Sequence, residues 1–171
     1  MNPAFLYHGS RFEQAELKPG FQHSNELVHW DHTESNKFLY ACTVESLAVE
    51  LGFASSIEKQ FKIDRFHVTD KKILIQTDEK ITVKDLERVP MFLYIIRFHA
   101  DDGWVKNDNK HNGINTEYKT KETIYDIDRC KAIKAKDWLS HYDVTITRSA
   151  PPKVEGASKQ VMESYPAYVQ W

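Results

Sequence analysis

FLYACTVESLAVELGFASSIEK, residues 38–59, decides the fold class. Phe38 to Ala41, FLYA, has strand character. Thr43 then reads as an N-cap, with Glu45 well placed in the first helical turn. Val44, Leu47, Ala48, Leu51 and Ala54 recur at helical spacing, which predicts an amphipathic helix to about Lys59. Before this segment, Ala4 to His8 (AFLYH) reads as a short strand followed by Gly9-Ser10. Arg11 to Phe21 is turn and loop around the Lys18-Pro19-Gly20 breaker, and Gln22 to Lys37 is a polar surface loop holding His23, His29, Trp30 and His32.

Strand character dominates after the helix. Ile63–Val68 and Lys71–Thr77 read as strands, Thr82–Arg88 as a short helix closed by Pro90, and Met91–His99 as the most apolar strand, expected in mid-sheet. Asp101–Gly113 is a loop by its Asp, Asn and Gly content. Ile114–Thr120 and Thr123–Ile133 read as consecutive strands, Ala135–His141 as a helical turn and Val144–Arg148 as a last strand. The strands follow one another too closely for regular βαβ units, so the class is α+β. A single domain is expected over residues 1–150. Residues 151–171 begin Pro151-Pro152 and form a C-terminal tail, mobile or docked through Tyr165, Tyr168 and Trp171.

The 171 residues are 41% apolar and 28% charged, ordinary for a globular chain. A net charge of −2 lacks the basic excess of proteins that grip duplex DNA through phosphates. Cys42 and Cys130 form no zinc-type spacing and read as two free thiols of a reducing compartment. The longest strongly apolar run, Met91–Ile96, is too short to span a bilayer, and no basic n-region with an apolar core opens the chain. A cytoplasmic protein without membrane association is expected.

Three segments carry candidate chemistry: Leu6-Tyr7-His8-Gly9-Ser10, Phe38-Leu39-Tyr40-Ala41-Cys42-Thr43 and Asn115-Thr116-Glu117-Tyr118. In order and type they resemble the His-Tyr-Glu signature of the ADP-ribosyltransferase family, over roughly Ala4 to Ile133. The resemblance implies a split β-sandwich with one main helix and short flanking helices. It implies NAD as cofactor and a macromolecular acceptor, protein or nucleic acid, or water. A toxin or phage effector would suit a free-standing domain of this kind.

The chemistry of each position has its own rationale. Cleaving the nicotinamide–ribose bond builds positive charge on the ribose, and the Glu117 carboxylate is the candidate to stabilise it and hold the 2′-hydroxyl. Gly9 at a strand end lets the main chain approach the carboxamide, and Tyr40 offers a face to the nicotinamide ring. His8 is the candidate for the adenosine-side ribose, Ser10 lies beside the same cleft, and Arg11 is placed to meet the pyrophosphate. Phe53 is the candidate second stacking aromatic, with a helical phase that alternatively turns it into the core.

Departures from the family pattern leave other classes open. The position two before Glu117 holds Asn115, so neither a second carboxylate nor a Gln is present there and acceptor specificity does not carry over. A catalytically inactive module of the same fold, binding a nucleotide, a modified base or a protein, is the second class. The third is a metal hydrolase built on His23, His29, Asp31 and His32, but their spacing matches no compact ligand pattern, so no metal is expected. No GxSxG, GxGxxG or GxxxxGK[ST] motif occurs.

Overall fold

The computed structural model describes residues 1–20, 38–107 and 116–149. The polar loop with His23, His29, Asp31 and His32, position 115 and the tail from Pro151 lie outside the described residues. Nine strands run β1 (Phe5–Ser10), β2 (Leu39–Cys42), β3 (Arg65–Val68), β4 (Lys72–Gln76), β5 (Phe92–Arg97), β6 (Val105–Lys106), β7 (Glu117–Thr120), β8 (Ile127–Ala132) and β9 (Asp143–Thr147) among the described residues. Helix α1 (Glu45–Gln60) follows β2, while α2 (Val83–Leu86) and α3 (Ala135–Leu139) are single turns. The protein is α+β, as the strand spacing predicts.

The chain divides into two compact units, the first from Met1–Ser56 and Pro90–Ile133, the second from Ile57–Val89 and the described part of Lys134–Trp171. The first unit holds a six-stranded sheet in the order β6-β7-β2-β1-β5-β8. Every neighbouring pair in it is antiparallel. Strand β5 lies between β1 and β8, interior to the sheet as its apolar sequence predicts. The second unit holds β3-β4-β9, in which β4 runs antiparallel to β3 and parallel to β9. Its core includes Phe66, Ile73, Ile75 and Leu86, all fully buried. The main-chain N–H and the hydroxyl of Thr82 both donate to Asp85 Oδ2, at 2.7 and 2.9 Å, which fixes the start of α2 and draws the Asp85 carboxyl below its usual range.

Strand alternation sorts the first unit's side chains onto two faces. Leu6, Leu39, Ala41, Tyr94 and Ile96 turn to one face, where they pack with Leu17, Trp104 and Ile124. An isolated bridge between Leu17 and Ile124 ties the two covering segments together. Cys42 and Leu93 turn to the other face and pack with Ala48 of α1, with Tyr7 against them.

Helix α1 begins where the sequence places it, but its cap and its buried face differ in detail. The Val44 carbonyl accepts the first helical bond from Ala48 N at 3.1 Å, so Val44 occupies the cap position expected of Thr43. Thr43 instead donates its main-chain N–H to the Thr116 carbonyl at 2.9 Å, extending the β2–β7 ladder. The buried helical positions are Ala48, Gly52, Phe53, Ala54, Ser56 and Ile57, while Val44 is exposed. Close approach of backbones sets this face. A Cβ on Gly9 would lie 2.5 Å from the Ala48 carbonyl oxygen and 2.8 Å from Gly52 Cα, so α1 can rest on β1 there because both positions lack side chains.

Candidate functional site

Register determines which candidate residues can meet. Tyr7 pairs with Cys42 across β1–β2, and Cys42 pairs with Glu117 across β2–β7. Partners share a face and neighbours along a strand alternate, so Gly9, Tyr40 and Glu117 belong to the face that carries α1. Tyr40 pairs with Lys119, which makes Glu117 its diagonal neighbour; such neighbours stand roughly 7–8 Å apart. Both side chains are half-buried. Cys42 stands directly opposite Glu117 and two residues along β2 from Tyr40, buried and donating its thiol to the Val44 carbonyl at 3.2 Å. Burial pushes the Cys42 thiol up to about 11, and the nearby Glu117 charge adds to that rise.

Glu117 does not stand alone. Asn107, in the segment expected to be loop, continues the pairing of β6 with β7 and donates its main-chain N–H to the Glu117 carbonyl at 2.8 Å. Its side-chain amide Nδ2 also donates to Glu117 Oε1. One carboxylate oxygen is thereby fixed by a charge-assisted hydrogen bond. Along the same face Phe38 and Tyr40 bring their rings within 6.2 Å at a tilt of 57°. The ammonium groups of Lys119 and Lys121 lie 4.6 and 5.3 Å from the Phe38 ring centroid. Asn107, Phe38, Lys119 and Lys121 are absent from the sequence-derived site. The alternation Glu117-x-Lys119 within β7, continued by Lys121 just past its end, was the signal that could have found the two lysines.

His8 and Ser10 turn to the opposite face and are buried. His8 reaches Tyr40 through the main chain: its Nδ1 lies 2.7 Å from the Tyr40 carbonyl oxygen, and its ring centroid is 6.3 Å from that of Tyr94. The ladder between β1 and β2 is registered at Tyr7 and Cys42, and the imidazole bridges the strands beyond it. Ser10 Oγ accepts from Phe12 N at 3.2 Å and from Gln14 Nε2 at 3.5 Å, organising the loop that follows β1. The buried Tyr94 hydroxyl secures the same loop, donating to the Phe12 carbonyl at 2.7 Å and accepting from Gln14 N at 2.6 Å. Burial drives the Tyr94 phenol above its ordinary range.

The structure therefore brings Tyr40, Glu117 and the Gly9 Cα to one sheet face and turns the His8 and Ser10 side chains to the other. The close approach that Gly9 permits is made by α1, not by open space. Arg11 is half-buried, with its guanidinium 4.5 Å from the Phe12 ring centroid. Phe53 is fully buried, the core alternative of its two helical phases. Among the described residues no group of three or more His, Cys, Asp or Glu is placed to hold a metal ion. No described helix is long and apolar enough to cross a membrane. No family model matches this chain, and no curated protein or solved structure matches it.

Proposed function

We propose that this chain is an ADP-ribosyltransferase-like protein that binds NAD over the Tyr40–Glu117 face and transfers ADP-ribose to a macromolecular acceptor or to water. Strand register supports it most directly: Cys42 opposite Glu117 and Tyr40 opposite Lys119 set a phenol ring and a carboxylate on one side of adjacent strands. The Tyr40 ring would stack on nicotinamide. The bond between nicotinamide nitrogen and ribose C1′ breaks, its electron pair leaves with nicotinamide, and the Glu117 carboxylate stabilises the cationic ribose. The acceptor's nucleophilic oxygen or nitrogen, or water, then bonds C1′ and loses a proton. Asn107 holds Glu117 Oε1, which leaves the second oxygen to meet the ribose 2′-hydroxyl. His8 acts from behind, through the Tyr40 carbonyl.

Nicotinamide release from NAD by the purified protein tests this reading. Release by the wild type, lost in Glu117→Gln with the far-UV spectrum and melting temperature retained, is the expected result. A wild type that binds NAD and releases nothing favours the second reading, a nucleotide-binding module without turnover. The burial of His8 on the opposite face is the observation that favours that alternative.

A further inference from the structure

We propose that Lys119 and Lys121 form a phosphate-binding subsite beside the Tyr40–Glu117 pair, taking a phosphate group that carries an adjoining flat ring. The two ammonium groups both lie within 5.3 Å of one point, the Phe38 ring centroid. Like charges gathered on one small surface repel, and a ring quadrupole offsets that only in part. Elsewhere in the chain, Lys18 pairs with Glu16 at 2.8 Å and Lys131 with Glu45 at 3.9 Å. Among the described residues no carboxylate pairs with Lys119 or Lys121. The acid on the strand and face of Lys119 is Glu117, whose carboxylate accepts from Asn107. Two cations without a counter-ion among the described residues, Lys119 half-buried on β7 and Lys121 exposed just past its end, suit an anion that spans both. Both ammoniums stand over the same Phe38 ring, so a phosphate with two or three acceptor oxygens reaches both.

The aromatic residues narrow the anion. Phe38 and Tyr40 sit in tandem on the same face, and a ring next to cations is the pattern that holds a base and its phosphate together. Sulfate or a lone carboxylate would use the lysines and ignore the rings. The chemistry is common to the diphosphate of a dinucleotide and to the phosphodiester backbone of a single-stranded nucleic acid. The subsite rests on the same face as the proposed transfer, yet requires no bond cleavage.

The test compares the wild type with the Lys119→Gln/Lys121→Gln double variant in calorimetric titrations with NAD, nicotinamide riboside, which has no phosphate, inorganic pyrophosphate and a short single-stranded oligonucleotide. The double variant should bind the phosphate ligands about tenfold or more weakly, with nicotinamide riboside unaffected. The salt dependence of oligonucleotide binding should fall by about two units of slope, one for each lysine. Loss confined to NAD and pyrophosphate assigns the dinucleotide as the source. A larger loss for the oligonucleotide assigns a nucleic-acid acceptor. A wild type that binds no phosphate probe overturns the subsite, as does a double variant that is folded and binds every probe as the wild type does. A wild type that loses phosphate ligands with the lysines but releases no nicotinamide removes the transfer reading and retains the subsite.

Discussion

Replacing Gly9 by Ala separates a packing role from a ligand role at a position that the family resemblance assigns to nicotinamide. The added Cβ would stand 2.5 Å from the Ala48 carbonyl oxygen and 2.8 Å from Gly52 Cα. Both atoms are helix backbone, so neither can rotate away. Ordinary contact begins near 3.4 Å, and α1 must therefore retreat from β1 by several tenths of an ångström. That shift loosens the packing of Cys42, Ala48 and Leu93 beneath it. Overpacking of this kind costs about 1–3 kcal/mol, and rigid backbone on the far side puts the cost in the upper part of that range. The lower chain entropy of Ala returns about 0.4–1 kcal/mol. A net loss of about 2 kcal/mol remains, which for a chain of this size lowers the melting temperature by about 4–8 °C. Urea denaturation of Gly9→Ala against the wild type measures it. Gly52→Ala should cost less: its Cβ would meet the Gly9 Cα at 2.9 Å, a milder backbone clash than the 2.5 Å at Gly9, the Met91 side chain at 3.1 Å can yield, and Ala in a helix gains about 1 kcal/mol. A Gly9→Ala protein with wild-type stability and a selective loss of NAD binding would refute the helix-packing argument.

Asn107→Ala should lower nicotinamide release about 10- to 100-fold, the worth of one hydrogen bond to a charged group, with KM for NAD little changed; steady-state kinetics read both. In a double-mutant cycle, adding Asn107→Ala to Glu117→Gln should cost nothing further, because Asn107 acts through that carboxylate. Burial raises the Glu58 carboxyl to about 7, so the folded state holds a proton there that the unfolded chain gives up near pH 4.5. Its contribution to stability is therefore lost as pH rises from about 4.5 to 7. Glu58→Gln should be more stable than the wild type at pH 8, by at most about 3 kcal/mol, and equal to it at pH 4, measured by urea unfolding at both pH values.

The described part of the fold was legible where local chemistry and burial agree. β5 is apolar on both faces because it lies interior to the sheet, and its sequence says so. Helix α1 shows helical spacing, yet its buried face turns toward Gly52 and Phe53 because contact with β1 is decided by the smallest residues rather than the most apolar ones. The β6 strand, Val105–Lys106, was hidden inside an Asp- and Asn-rich segment, since two residues carry no periodicity. Asn107 was invisible because its role comes from pairing with β7 across the intervening segment, which no local pattern announces. Among the site candidates, Tyr40 and Glu117 could be placed on strands from composition, but which face each uses depends on register, and register is a non-local property. That is why His8, one residue from Tyr7 and Gly9, falls on the other side of the sheet.

Two-dimensional NMR of the isotopically labelled protein titrated with NAD tests the use of this face most directly. Side-chain signals of Tyr40, Glu117 and Lys119 should move with NAD, while those of Tyr118 and Thr120, which point the other way from the same strand, should stay in place. Movement centred on Tyr118, Thr120 and His8, or no movement at saturating NAD, would contradict it.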